Sequence, residues 1–154
     1  MISNRLVEHA ELLAASPAAG APRQIDLRRA VGAAYYALFH EACRLVADQL
    51  VGVSKSATAE YARCYRAVQH ARAASSFKHY TDAGGSDSAV LSFCDTAKSL
   101  QNERHLADYD PHYKTSRANA LLHISTARRE LSAIRRTSER EKLVLATILV
   151  FSQR

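Results

Sequence analysis

Between Gln101 and Pro111 the chain reads Gln-Asn-Glu-Arg-His-Leu-Ala-Asp-Tyr-Asp-Pro, gathering an arginine, a histidine, carboxylates and a tyrosine within three helical turns. Residue types like these suit phosphate chemistry. A guanidinium can neutralise phosphorane charge, a histidine can move protons near neutral pH, and a carboxylate can orient either. Counting back from Arg104, the residues Leu100, Ala97, Phe93 and Val90 fall on one stripe by alternating three- and four-residue spacing. Arg104 is therefore expected on the face that is buried, with Asp108 one turn further on. A guanidinium placed there is costly unless it is paired and hydrogen-bonded. It requires an internal carboxylate, a partner subunit or a ligand.

Two sets of roles suit these residues. In a ribonuclease, Arg104 supplies the cation and His105 or His112 the proton transfer, while Asp108 orients a histidine. In a structural cluster, Arg104 and Asp108 form a pair, with Tyr109 bonded nearby, that fixes the helix end and the register of a dimer. A metal site from His105, Asp108 and His112 has no recognised ligand spacing, so neither metal nor cofactor is expected. Tyr36 and His40 lie one turn apart on an earlier helix and are candidates to line the same cleft, whereas Tyr35 falls on an apolar stripe. Arg117, Arg128 and Arg135 form a basic flank able to hold RNA phosphates. No aromatic residues are interleaved with them, so such binding is expected to be electrostatic and sensitive to salt.

These residues need helices to position them. A first helix is expected over Ser3–Ala15, ended by Pro17, with a loop over 16–23. A second starts at Asp26 as cap and runs to about Gly52. One of its faces carries Leu27, Val31, Ala34, Tyr35, Leu38, Ala42, Leu45 and Val46, and another carries Ala33, Tyr36, His40, Cys43 and Ala47. Only the strip of Glu41, Arg44 and Asp48 reads as solvated, which places this helix in the middle of an assembly. A third helix spans Ser56–Tyr80 with a stripe of Tyr61, Tyr65 and Val68, followed by a Gly-rich loop over 81–88. The fourth runs from Ser88 to the polar cluster, where Pro111 disfavours helix at Asp110. The fifth begins at Thr115 or Ser116, with Ala120, Ile124, Ala127, Leu131 and Ile134 inward. Ser138 and Glu141 have capping-box spacing for a short apolar helix over Lys142–Phe151, which either closes the core or seals a subunit interface.

The chain's 154 residues suit one domain over 1–154, and Gly and Pro are scarce, at five and three. No strand-like alternation, repeat, membrane span or signal-peptide core is evident, so a cytoplasmic helical protein is expected. Cys43, Cys64 and Cys94 have no zinc spacing and read as buried reduced thiols. The net charge of +6 is uneven. Eight Lys and Arg residues against three Glu lie between Lys114 and Lys142, whereas acidic residues dominate between Asp82 and Asp110. This pattern fits either a matched pair of helices or a phosphate-binding surface.

The run Leu27-Arg-Arg-Ala-Val-Gly-Ala-Ala-Tyr-Tyr-Ala-Leu-Phe-His-Glu-Ala42, followed by Arg104-His-Leu-Ala-Asp-Tyr-Asp-Pro111, resembles the HEPN superfamily. More narrowly, it resembles a bacterial branch with an AYYA-x-FH second helix and an R-x-x-ADYD end to its penultimate helix. The resemblance covers nearly the whole chain. It implies an all-α, four- to five-helix up-and-down bundle with a short apolar C-terminal helix, usually a homodimer with its polar motif near the dimer cleft. Many members are metal-independent endoribonucleases of toxin–antitoxin or defence systems, and others are non-cleaving modules that pair with a nucleotidyltransferase or an antitoxin. In the nuclease pattern Arg104 matches the arginine. Asp108 stands where the distal histidine is expected, with Tyr109 beside it, and His112 lies beyond Pro111. The resulting expectation is a protein that handles RNA or nucleotides, with a degenerate ribonuclease motif. The alternative is a non-catalytic dimerisation module.

Overall fold

Apolar periodicity organises the chain into helices alone, as a computed structural model describes for residues 1–15 and 20–151. In chain order these are α1 (Ile2–Ala14), α2 (Gln24–Leu50), a 3-10 turn (Val53–Lys55), α3 (Ala59–Tyr65), α4 (His70–Phe77), α5 (Ser88–Tyr109), α6 (Arg117–Arg136) and α7 (Glu139–Val150). Pro17, expected to end the first helix, lies outside the described residues. Among those residues there is no strand, and no helix is long and apolar enough to cross a membrane.

α2 is the axis of the bundle and packs against α1, α3, α5, α6 and α7. Its apolar residues Leu27, Val31, Tyr35, Leu38, Leu45 and Val46 are buried, and so are Ala30, Ala33, Ala34, Ala37 and Ala42. Small side chains let neighbouring helices approach from several directions, which agrees with the two-faced reading of the sequence. The solvated strip expected on this helix is a correction. Glu41 is 1% exposed, and Arg44 and Asp48 are mostly covered. The Glu41 carboxylate accepts hydrogen bonds from Ser3 Oγ at 2.7 Å, Arg135 Nε and Nη2 at 2.8 Å each, and Arg44 Nη2. Burial pushes this carboxyl upward, but its bonds to Arg135, Arg44 and Ser3 outweigh burial and hold it at about 2. Glu41 thus joins α1, α2 and α6 through a charge rather than facing water.

The single third helix expected over Ser56–Tyr80 is instead two, α3 and α4, separated by residues 66–69. No Gly or Pro lies in that gap, so the break has a tertiary cause. Val68 turns inward to 6% exposure, while Tyr65 and His70, on either side, bond to His40 and Tyr35 of α2. The following loop wraps Tyr80, which is fully buried. Its hydroxyl donates to Glu141 of α7 and accepts from the Asp87 N–H at 3.2 Å.

Asp26, expected as the cap of the second helix, instead lies in the first turn of α2, whose N-cap Arg23 makes no side-chain cap bond. Ser116 and Ser138 cap α6 and α7 through their hydroxyls, as their spacing suggests. α7 closes the core with Leu145, Ala146, Ile148 and Leu149 buried, which settles one of the two roles expected for the apolar tail. Cys43 and Cys94 are buried free thiols, but Cys64 is only partly covered. Burial raises both buried thiols, Cys43 to about 12, so neither forms a thiolate at neutral pH.

Candidate functional site

The polar cluster sits on the last two turns of α5, and the first turns of α2 hold that helix end in place. Arg28 donates from Nε to the Ala107 carbonyl at 2.6 Å, from Nη2 to the Asp110 carbonyl at 2.7 Å, and from Nη1 to the Tyr113 carbonyl at 3.3 Å. The terminal carbonyls of a helix lack intrahelical partners and carry partial negative charge. A guanidinium that reaches three carbonyls around this end therefore acts as its cap. Gln24 adds a reciprocal pair with the Thr115 backbone, donating at 2.9 Å and accepting at 3.2 Å. Tyr113 donates to Glu103 at 2.9 Å. Arg28 belonged to the first motif in the sequence, yet its capping role was invisible there, because its partners are backbone atoms about eighty residues away.

Arg104 projects from this anchored helix toward α2. Its side chain is 24% exposed, so the expected inward stripe ends half-buried at the rim of the core. Nη2 donates to the Tyr36 hydroxyl at 2.9 Å, and the guanidinium carbon lies 5.4 Å from the centre of the Tyr36 ring and 5.8 Å from that of Tyr109. Nε lies 2.7 Å from an Asp108 carboxylate oxygen, but its N–H is not aimed there and makes no hydrogen bond. Nη1 has no hydrogen-bond partner among the described residues. The Asp108 side chain is 41% exposed. The cation is thus held by one phenol, two rings and one misaligned, solvated carboxylate.

The other candidate residues fall into distinct positions. Tyr109 is 67% exposed and lies between Arg104 and His105, whose ring centre is 5.0 Å from that of Tyr109. Tyr36 brings His40 toward the group, with ring centres 6.5 Å apart. His40 Nδ1 shares a 2.7 Å hydrogen bond with Tyr65, and burial lowers the basicity of its imidazole. His112 does not join them. It is exposed beyond the helix end, with its N–H bonded to Asp110 at 2.8 Å. No three His, Cys, Asp or Glu side chains converge as a metal site among the described residues.

The three arginines of the expected basic flank make bonds within the molecule. Arg117 donates to the Ala14 carbonyl at 3.0 Å, Arg128 pairs with Glu11 at 2.7 Å, and Arg135 binds Glu41. They fasten α6 to α1 and α2. Of the two ion pairs, that of Arg128 is the more open, its side chain 55% exposed.

Sequence reasoning missed His70. This histidine begins α4, and its ring stacks on Phe39 at 3.5 Å with an interplanar angle of 15°. Its Nδ1 shares a 3.0 Å hydrogen bond with the Tyr35 hydroxyl, and its ring meets that of Tyr36 edge-on at 5.4 Å. No local signal marked it, because the residues it joins are on α2 and α5.

No family model, curated protein or solved structure matches the chain. The site must therefore be read from its own geometry.

Proposed function

We propose that this protein handles RNA or nucleotides through a phosphate-binding cleft centred on Arg104, in the manner expected of a HEPN-like bundle. The observation that carries the reading is the incomplete pairing of Arg104. A half-buried guanidinium whose Nη1 has no hydrogen-bond partner among the described residues, and whose neighbouring carboxylate is exposed, can take an oxyanion such as a phosphate. Tyr36 and Tyr109 add aromatic faces on which a base or ribose can rest.

The test is binding of a labelled single-stranded RNA by wild type and Arg104→Ala over a salt series. Loss of affinity in the variant, with an intact fold and a steep salt dependence in the wild type, supports the reading. Equal, salt-insensitive binding by both proteins refutes it.

A second reading has its own observation. Leu106 is 41% exposed and Tyr109 67% exposed on the same turns as Arg104, leaving apolar surface beside the polar cluster. That surface suits a homodimer or a nucleotidyltransferase-type or antitoxin partner, with the cluster setting the register. If so, Leu106→Glu abolishes dimerisation in sedimentation or light scattering and leaves the monomer folded.

A further inference from the structure

We propose that the outer face of α6, with α1 as its side wall, docks an acidic amphipathic helix of a partner protein. This surface shares no residue with the Arg104 cluster and is independent of what that cluster binds.

α6 carries two stripes. Ala120, Ile124, Ala127, Leu131 and Ile134 are buried against the bundle. On the other side, Ala118, Leu122, Ser125, Arg129, Ser132 and Arg136 follow one another by alternating steps of four and three, and all six are exposed. That is the spacing of a seam along which a second helix packs. From 118 to 136 the stripe is roughly 27 Å long at 1.5 Å per residue. Among the described residues, no element of the chain covers it.

The first half of the stripe is apolar. Leu122 is 62% exposed and Leu121, beside it, 37%. Both line a groove of about 700 Å³ that reaches Glu11 of α1. A second groove shares Arg128, Ser132 and Arg136 with the first and continues along α1 to Asn4. Leucines exposed together in a groove with a charged rim mark a surface that another chain covers.

The charges select the occupant. Every exposed charged side chain of α6 is an arginine, because its one carboxylate, Glu130, is buried. Arg128 pairs with Glu11 at 2.7 Å and Arg129 with Glu130 at 3.0 Å, yet their side chains stay 55% and 70% exposed. Arg136 donates to Ser132 Oγ at 2.7 Å and has no carboxylate partner among the described residues. Glu8 and Glu11 line the α1 wall, which keeps a docked helix's own carboxylates over α6. A helix with apolar residues over Leu121 and Leu122, and carboxylates over Arg129 and Arg136, matches both halves. A second copy of α6 does not. Laid parallel it sets arginine on arginine, and laid antiparallel it brings Arg136 beside Arg117. RNA would leave the leucines uncovered, and α6 has no Phe, Tyr or Trp on which a base could stack.

The experiment titrates the isotope-labelled full chain with a synthetic helical peptide of about eighteen residues, matched to the stripe. One face of the peptide carries leucines in its first half and glutamates in its second. Control peptides replace glutamate by lysine or scramble the order. Saturable binding of the glutamate peptide is expected, with amide shifts concentrated over 118–136 and α1. Leu122→Ser and Arg136→Glu alter exposed side chains and are expected to keep the wild-type thermal midpoint. Each should weaken the glutamate peptide about tenfold or more, and Arg136→Glu should bind the lysine peptide more tightly than wild type does. Four results overturn the inference. The glutamate peptide fails to bind, or binds no better than its controls. The shifts map to the Arg104 turns of α5 instead. Sedimentation shows a dimer that Leu122→Ser dissolves, which assigns the face to a second copy. The two substitutions abolish binding of single-stranded RNA or of phosphatidylglycerol vesicles and spare the peptide, which assigns it to nucleic acid or lipid.

Discussion

Replacing Glu41 by Gln removes the one buried carboxylate that fastens three helices and keeps the shape of the side chain. Its worth follows from its surroundings in two ways. Held at about 2 instead of an ordinary 4.5, the carboxyl contributes roughly 3 kcal/mol of stability once ionised, at 1.36 kcal/mol per unit. Removing one partner of a buried ion pair costs about 3–5 kcal/mol. Arg135 and Arg44 are 25% and 29% exposed and can turn toward water, which places the expected loss at the lower end. Because the folded-state value is depressed, this contribution is fully present above pH 4.5 and disappears as pH falls toward 2. Urea denaturation of wild type and Glu41→Gln, followed by circular dichroism, should give a difference of about 3 kcal/mol at pH 7. That difference should shrink steadily between pH 4.5 and 2. A difference below about 0.5 kcal/mol at pH 7, or one that does not change with pH, would refute the reasoning, since surface-type positions give effects of that size.

Three further substitutions test how the site and its supports are built. Arg28→Ala removes the cap from the end of α5 and should cost about 1–2 kcal/mol, because the freed carbonyls are part-buried and can reach water. It should also speed amide exchange over 105–110 and weaken RNA binding without touching the ligand. Gly85→Ala places a methyl 2.2 Å from the buried Tyr80 ring and should lower stability by about 3 kcal/mol, read from the denaturation midpoint. Gly32→Ala meets only Arg104 Cγ, at an ordinary 3.9 Å, inside a helix. It should raise stability by about 0.5–1 kcal/mol and leave RNA affinity unchanged, and a loss of affinity would mean that Arg104 has less room than its geometry indicates.

Periodicity carried most of the architecture. The stripes of α5 and α6, the serine caps and the two-faced α2 were all legible, because each depends on residues within a few turns of one another. Failures came where distant partners decide. Glu41 looks solvated beside Arg44 and Asp48, but Arg135, ninety-four positions away, and Ser3 join Arg44 in making its burial tolerable. The interruption between α3 and α4 has no local breaker and arises from contacts of Tyr65 and His70 with α2. The candidate site was half legible for the same reason. Arg104, Asp108 and Tyr109 share a helix and are visible as a group, and Tyr36 joins them because it belongs to the earlier motif, Leu27–Ala42. His70 and Arg28 enter the site through tertiary contacts alone. The basic flank of α6 was visible as charge, but its ties to Ala14, Glu11 and Glu41 were not.

In the proposed reading Arg104 is a cation held open for phosphate rather than a structural pair. The most direct test is the affinity of wild type and Arg104→Ala for the same labelled single-stranded RNA, measured by fluorescence anisotropy beside their thermal midpoints. Asp108 is exposed and Tyr36 keeps its packing, so removing Arg104 should change stability by less than about 1 kcal/mol. Loss of a charged hydrogen-bond donor to phosphate should weaken RNA binding about tenfold or more. Unchanged affinity, accompanied by loss of folding or of dimerisation, would contradict the account and assign Arg104 to the architecture.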